Sequence, residues 1–145
     1  MTEKNIPIYK EDIIKIIQEA KEARELAYAP YSGFKVGAAL LTAEGQIITG
    51  CNIENAAYSP GNCAERTAVF KAVSSGVKDF KAIAIVAGKE RIDDYTSPCG
   101  MCRQVLREFV NPCDFYVIMA KSEDDYRIMT LDELFPMSFG PDNLR

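Results

Sequence analysis

The chain has 145 residues, which fits one domain with a substantial core, and 48% of them are hydrophobic and 26% charged. The net charge is −4, and no long tract of Lys and Arg is present. Both features argue against a nucleic-acid backbone as substrate, because phosphate binding needs clustered cations.

Hydrophobic periodicity divides the first half of the chain into a helix, a hairpin, a second helix and a strand. Apolar residues at helical spacing predict the first helix over residues 11–28, which we expect Pro30 to end. Residues 34–41 and 47–53 are predicted to be the strands of a hairpin, joined by a turn over 43–46. A buried helix over 63–74 and a strand over 82–87 follow. The continuous apolar run of that strand is typical of a strand covered on both faces.

The second half adds another helix and another strand, over residues 99–110 and 115–119. A turn at 124–125 leads into residues 126–129, and residues 131–135 form a short helix or turn. A helix, a hairpin and two helix–strand units predict an α/β fold, a three-layer α/β/α sandwich with a five-stranded mixed β-sheet. No linker or repeat interrupts the chain, so we expect a single catalytic domain over residues 1–145.

Histidine is absent from the sequence, and this restricts the possible chemistry. It excludes Ser-His and Cys-His nucleophilic triads and every zinc site that uses imidazole. The first seven residues contain no apolar segment, so we expect no signal peptide and a cytoplasmic location. No apolar run approaches the roughly 18 residues of a membrane span, so we expect no membrane partner. The five cysteines are therefore interpreted as reduced thiols or metal ligands.

Three cysteines stand in two short motifs, Cys63-x-Glu65 and Pro98-Cys99-x-x-Cys102. Helical spacing places Cys99 and Cys102 on one side of the first turn of the third helix, where the helix dipole favours thiolate. A C-x-x-C pair alone fits a redox centre as well as a metal site. The third cysteine favours zinc, and the combination is typical of hydrolytic deaminases.

The two other cysteines bear on whether the predicted site is closed or open. A structural zinc site usually has four protein ligands, whereas a catalytic site keeps one position open. Cys51 lies in an apolar strand segment, and Cys113 stands alone after Pro112. We interpret both as small buried or half-buried residues, which leaves an open fourth position.

Glu65 and Arg66 are predicted to act beside the metal. Glu65 shares a helical turn with Cys63, although it also fits a capping box with Asn62 at the helix start. Three thiolates and one Zn²⁺ sum to a charge of −1, which weakens the metal as a Lewis acid. Arg66, three residues after Cys63, is the candidate that neutralises the excess charge. The alternative is a solvated surface arginine.

Four stretches closely resemble the small, homotetrameric, zinc-dependent cytidine deaminases. They are residues 34–39 (FKVGAA), 52–55 (NIEN), 63–66 (CAER) and 98–104 (PCGMCRQ). The resemblance runs from the first helix to about residue 136, and the tail over 137–145 matches least. It implies a cytidine-deaminase-like fold in which three cysteines hold one Zn²⁺ per subunit. It also implies that Glu65 shuttles protons and that Arg66 neutralises the thiolates.

The resemblance further implies how a nucleoside would be bound. The implied contacts are Phe34 against the base, the Ala64 backbone at the pyrimidine, and Asn52 and Glu54 at the ribose. In the family the sites lie near subunit interfaces, so Tyr58 and Phe135 are expected to complete a neighbour's pocket. Ordinary core or interface packing is the alternative for these two aromatic residues.

The implied reaction is hydrolytic deamination of cytidine and deoxycytidine to uridine and deoxyuridine, with release of ammonia, in pyrimidine salvage. Three alternatives stay open at the level of sequence. One is a nucleic-acid-editing deaminase, which would need a basic and aromatic groove that this acidic chain lacks. The others are a deaminase of cytosine-nucleoside antibiotics and a zinc module without enzymatic activity.

Overall fold

The computed structural model of the protein describes residues 5–145. The helices are α1 (Lys10–Glu25), α2 (Ala64–Ser74), α3 (Gly100–Phe109) and α4 (Leu131–Leu134), and a 3-10 turn covers Pro141–Leu144. The strands are β1 (Lys35–Thr42), β2 (Ile47–Cys51), β3 (Phe80–Gly88), β4 (Tyr116–Ser122) and β5 (Asp125–Thr130). Within this part of the chain, no helix has the length and apolarity needed to cross a bilayer.

The five strands form one mixed sheet in the order β2-β1-β3-β4-β5. Strand β1 is antiparallel to both of its neighbours, and β5 is antiparallel to β4. Strands β3 and β4 are parallel and are joined through α3, as a parallel pair requires a long crossover. The predicted α/β fold with a five-stranded mixed sheet is confirmed.

Both faces of the sheet are buried under helices. Alternate residues of β3 point to opposite faces, so Ile83 and Ile85 belong to one core cluster and Ala84 and Val86 to the other. The first cluster includes residues of α2, α3 and α4, and the second includes the apolar side of α1. The prediction that this strand is covered on both faces is therefore confirmed. Helices α2 and α3 share one side of the sheet.

The predicted end of the first helix was wrong. Helix α1 stops at Glu25, three residues before the predicted end and well before Pro30. The reason is a pair of backbone hydrogen bonds, since the Tyr28 N–H donates to the Asn52 carbonyl (3.0 Å) and the Glu54 N–H donates to the Tyr28 carbonyl (2.8 Å). These bonds require extended backbone at Tyr28.

Strand β2 also ends earlier than predicted, at Cys51 rather than residue 53. Ile53 instead forms isolated bridges with Tyr28 on one side and Asn62 on the other. Three segments that are distant in sequence, around residues 28, 53 and 62, are thus held side by side just beyond the end of the sheet.

Close packing of β1 on α1 depends on Gly37. A Cβ at this position would lie 1.9 Å from the Ala20 carbonyl oxygen and 2.5 Å from the Arg24 backbone nitrogen. Both neighbours are helix backbone, which cannot move aside as a flexible side chain can. The Arg24 guanidinium is buried here and donates to the carbonyls of Gly88 and Lys89 (2.9 Å each).

We predict that Gly37→Ala lowers the free energy of unfolding by about 1–3 kcal/mol, since an added methyl group forces β1 away from α1. Chemical denaturation of the purified variant measures the change. Gly100→Ala is the matched control, because a Cβ at Gly100 would have no neighbour within 4 Å. Equal unfolding midpoints for the two variants would contradict this account of the packing.

Candidate active site

The three motif cysteines meet where α2 and α3 begin. Cys63 is the N-cap residue of α2 and Cys99 is the N-cap residue of α3, and Cys102 lies in the first turn of α3. The Sγ–Sγ distance is 3.9 Å between Cys63 and Cys99 and 3.6 Å between Cys99 and Cys102. All three sulfurs lie within 4.8 Å of one another. The two motifs, 36 residues apart, therefore form one cluster.

The cluster fits a zinc ion. Tetrahedral coordination with Zn–S distances near 2.3 Å places sulfurs about 3.8 Å apart, close to the separations found here. Over residues 5–145, this is the one group of three or more Cys, Asp or Glu side chains with metal-ligand spacing. Its three thiols leave a fourth coordination position for another group, which is typical of catalytic zinc.

The other two cysteines lie outside the cluster. Cys51 is half-buried at the end of β2, in line with the prediction. Cys113, however, is exposed, so its predicted burial was wrong. The cause is a surface turn in which the Cys113 N–H donates to the Asn111 side-chain oxygen (3.1 Å) and the Asp114 N–H to the Asn111 carbonyl (3.1 Å).

Arg66 provides positive charge next to the thiols. Its Nη2 donates a hydrogen bond to Cys63 Sγ at 3.3 Å. Hydrogen bonding from Cys102, together with the Arg66 guanidinium, lowers the pKa of Cys63 to about 5. The pKa of Cys102 is raised, because this thiol donates to Cys63 and is buried. The pKa of Arg66 is raised in turn by its bond to Cys63, so a charged guanidinium faces a thiolate.

Glu65 is buried beside the cluster, with 5% of its surface exposed. Burial raises the pKa of its carboxyl to about 6, and the nearby Cys63 charge acts in the same direction. The alternative capping box with Asn62 is not formed, because Cys63 is the N-cap residue of α2. The Asn62 amide instead donates to Thr67 Oγ1 at 3.2 Å. The Glu65 carboxyl therefore takes no part in that capping box.

A cavity of about 640 Å³ opens beside the thiols. Its walls come from the loop before β1, the segment after β2, the start of α2 and the loop before α3. The lining residues are Tyr31, Ser32, Phe34, Val36, Asn52, Ile53, Glu54, Asn55, Tyr58, Gly61, Asn62, Cys63, Glu65, Arg66, Thr96, Ser97 and Cys99. A volume of this size suits a small organic molecule.

Asn52 and Glu54 hold the wall that carries Phe34. The Asn52 amide accepts from the Val36 N–H and donates to the Phe34 carbonyl, both at 2.8 Å. The Glu54 carboxylate accepts from the backbone N–H groups of Tyr31 (3.0 Å) and Ser32 (3.1 Å) and from the Ser32 hydroxyl. The Ser32 hydroxyl and N–H groups lower the pKa of Glu54. Both side chains thus fix the cavity wall and also border the cavity.

The three remaining predicted contact residues lie in different parts of the structure. Tyr58 lines the cavity of its own chain with 78% of its surface exposed, and its φ of 60° is left-handed. Phe135 packs against the first core cluster instead of the cavity. The side chain of Ala64 is fully buried and is not among the lining residues.

Several lining residues were missed in the sequence. Tyr31 and Ser32 follow Pro30, and Thr96 and Ser97 precede Pro98, so a loop signal was visible at both places. Neither stretch contains a ligand pattern, and only the fold brings the two loops to one cavity.

Comparisons with known proteins agree with this geometry. The family model for the cytidine and deoxycytidylate deaminase zinc-binding region matches residues 10–119, from α1 into β4, and includes the three clustered cysteines. Cytidine deaminase of Sporosarcina psychrophila is 53% identical over 92% of this chain and 95% of its own length. Cytidine deaminase of Halalkalibacterium halodurans is 49% identical over 89% of this chain and 95% of its own length.

Crystal structures of cytidine deaminases are also similar to this chain. A crystal structure of cytidine deaminase from Burkholderia pseudomallei has a TM-score of 0.77 and 46% sequence identity to this chain. The match covers 86% of this chain and 97% of that one. A crystal structure of cytidine deaminase from Mycobacterium tuberculosis has a TM-score of 0.75 at 36% identity, over 87% and 95% of the two chains.

We predict that replacing Cys63, Cys99 or Cys102 singly by alanine removes most of the bound zinc, because each change leaves only two thiolates. Metal content per chain, measured by mass spectrometry after desalting, tests this. Cys51→Ala and Cys113→Ala are the controls and should retain wild-type zinc. Loss of zinc from either control would show that the site has a fourth protein ligand.

Proposed function

The chain belongs to the cytidine and deoxycytidylate deaminase family, and on that premise we propose that it hydrolyses cytidine and deoxycytidine to uridine and deoxyuridine. Ammonia is the second product, and pyrimidine salvage is the process served. One observation carries the proposal: Cys63, Cys99 and the buried Glu65 border a single cavity, with the Cys102 thiol beside them.

Cys63, Cys99 and Cys102 are proposed to hold one zinc ion per chain. Bound zinc supplies a Lewis acid that makes water nucleophilic near neutral pH. The Arg66 guanidinium offsets part of the negative charge of the three thiolates through its bond to Cys63 Sγ. The protein thus limits the net negative charge around the site, which would otherwise weaken the bound metal as a Lewis acid.

Glu65 is proposed to carry the protons. It lies two residues after Cys63, borders the cavity and is shielded from bulk water. Hydrolysis at C4 of the pyrimidine moves both protons of the attacking water. The first passes to ring N3, and the second leaves the C4 hydroxyl as the carbonyl forms and passes to the departing amine, which is released as ammonia. A single buried carboxyl beside the reacting carbon can perform these transfers in turn.

The far walls of the cavity are proposed to bind the nucleoside. Phe34 offers an aromatic surface to the base, the Ala64 backbone faces the pyrimidine, and Asn52 and Glu54 offer hydrogen-bonding groups to the ribose. Of the lining residues, only Glu54, Glu65 and Arg66 are charged, and Arg66 already donates to Cys63. A phosphate group would therefore meet a carboxylate rather than a free cation, which favours a nucleoside over a nucleotide or a nucleic acid.

We also propose a cytoplasmic homotetramer of single catalytic domains, each spanning residues 1–145, with the sites near subunit interfaces. Tyr58 and Tyr31 support this assembly, because both are exposed at the cavity. Their rings contact each other edge to face, with ring centroids 6.2 Å apart. A neighbouring subunit would cover these rings, and Phe135 is proposed to approach a neighbour's pocket. The cysteines of the described chain are all free, which suits a reducing compartment.

We predict that Glu65→Gln lowers kcat on cytidine by at least about 10²-fold, because the amide cannot transfer protons. Zinc should stay bound, because the three thiolates hold it without help from the carboxylate. Steady-state kinetics and metal content are measured on the same sample. Glu108→Gln, on the exposed side of α3, is the matched control and should keep wild-type kcat. A Glu65→Gln enzyme that retains more than about a tenth of wild-type kcat would remove Glu65 from the mechanism.

We predict that zinc-loaded protein releases ammonia from cytidine and deoxycytidine, with kcat/KM at least about 10-fold lower on cytosine and on cytidine 5′-monophosphate. Cytosine lacks the ribose, and the monophosphate places negative charge near Glu54. An ammonia assay over this panel and a single-stranded oligonucleotide provides the test. Faster deamination of the oligonucleotide would favour an editing enzyme, and no ammonia from any nucleoside would favour a non-enzymatic zinc module.

A further inference from the structure

Arg103, the residue after Cys102, joins three separate parts of the molecule. Its Nε donates to the Pro98 carbonyl at 2.7 Å, and its Nη2 donates to the Ser97 hydroxyl at 3.2 Å. The remaining nitrogen, Nη1, donates to the Leu134 carbonyl at the end of α4. All three guanidinium nitrogens therefore have partners.

Two of these partners lie in the loop that leads to the thiol cluster. Residues 95–99 belong to no helix or strand, yet they carry Cys99 at their end and contribute Thr96 and Ser97 to the cavity wall. Backbone groups outside helices and strands are paired with side chains, other loop backbone or water, and side-chain hydrogen bonds of this kind help to hold a loop in one position. Arg103 supplies two such bonds immediately before Cys99.

The third partner belongs to the C-terminal segment, residues 134–139, which α3 holds through further contacts. The Gln104 amide donates to the Phe139 carbonyl at 3.0 Å, and Arg107 Nε donates to the Ser138 hydroxyl at 3.0 Å. Among these α3 side chains, Arg103 is the one whose hydrogen bonds also reach the loop before Cys99.

We propose that Arg103 is a positioning residue that fixes Cys99 and the Ser97 wall of the cavity and ties both to the C-terminal segment. This proposal rests on the proposed function only in taking Cys99 as a zinc ligand. The guanidinium suits the role because its donors diverge in one rigid plane, whereas a lysine ammonium on a flexible stem cannot hold three divergent acceptors in the same way. Groups that orient a metal ligand commonly change metal affinity or activity by about 10–100-fold when they are removed.

The test is the rate at which zinc-loaded protein loses zinc to an excess of a chromogenic chelator, well below the unfolding temperature. We expect Arg103→Gln to release zinc about 10–100-fold faster than wild type, and Arg103→Lys to show an intermediate rate. Arg107→Gln is the matched control, because it loosens the same C-terminal segment from the same helix without touching residues 97–98. It should release zinc within about twofold of the wild-type rate, since no ligand loop is disturbed.

A general loss of stability would accelerate zinc release in the Arg107→Gln control as well, and equal rates in the two glutamine variants would overturn the proposal. Wild-type rates in Arg103→Gln would overturn it too. If Arg103→Gln does not fold, the zinc-release rate of Arg103→Lys is the test instead, and a wild-type rate in that variant overturns the proposal. Failure of the proposed function is distinguishable, since a protein that deaminates no nucleoside still gives the zinc-release comparison.

Discussion

The repulsion between three neighbouring thiolates is the constraint on which the rest of the site depends. Three sulfurs within 4.8 Å cannot all ionise unless positive charge lies among them or beside them. The protein provides that charge in two ways, through the N-termini of α2 and α3 and through Arg66 at 3.3 Å from Cys63 Sγ. A zinc ion completes the balance. The charge of the cluster thus explains why an arginine lies beside the thiols at the cavity wall.

The sheet makes this convergence possible. Helices α2 and α3 pack on the same face of the sheet, so their first turns are able to meet at one place. The loops that follow β2 and β3 then lead into these two helix starts and, together with the loop before β1, supply the cavity walls. Bridges of Ile53 with Tyr28 and Asn62 hold the walls together beyond the last strand residue. The fold therefore fixes the cluster, whereas the loops define the shape of the space beside it.

The sequence predicted the features that depend on local spacing. Helix and strand order follow from periodicity, and the three-cysteine cluster follows from the i, i+3 relation of Cys99 and Cys102 together with the C-x-E motif. Features that depend on contacts between distant segments could not be predicted from the sequence. The end of α1 is set by pairing of Tyr28 with residues 52 and 54 rather than by Pro30. In the same way, the contributions of Ser32 and Ser97 to the cavity appear only when two loops are folded against each other.

We propose that the protein holds zinc with three sulfurs and leaves the fourth coordination position open. X-ray absorption spectroscopy at the zinc edge measures the coordination shell of the loaded protein directly. We expect three sulfur scatterers at about 2.3 Å from the zinc and one lighter oxygen or nitrogen scatterer at about 2.0 Å. A shell of four sulfurs would contradict it, because such a site is closed and has no position at which to activate water.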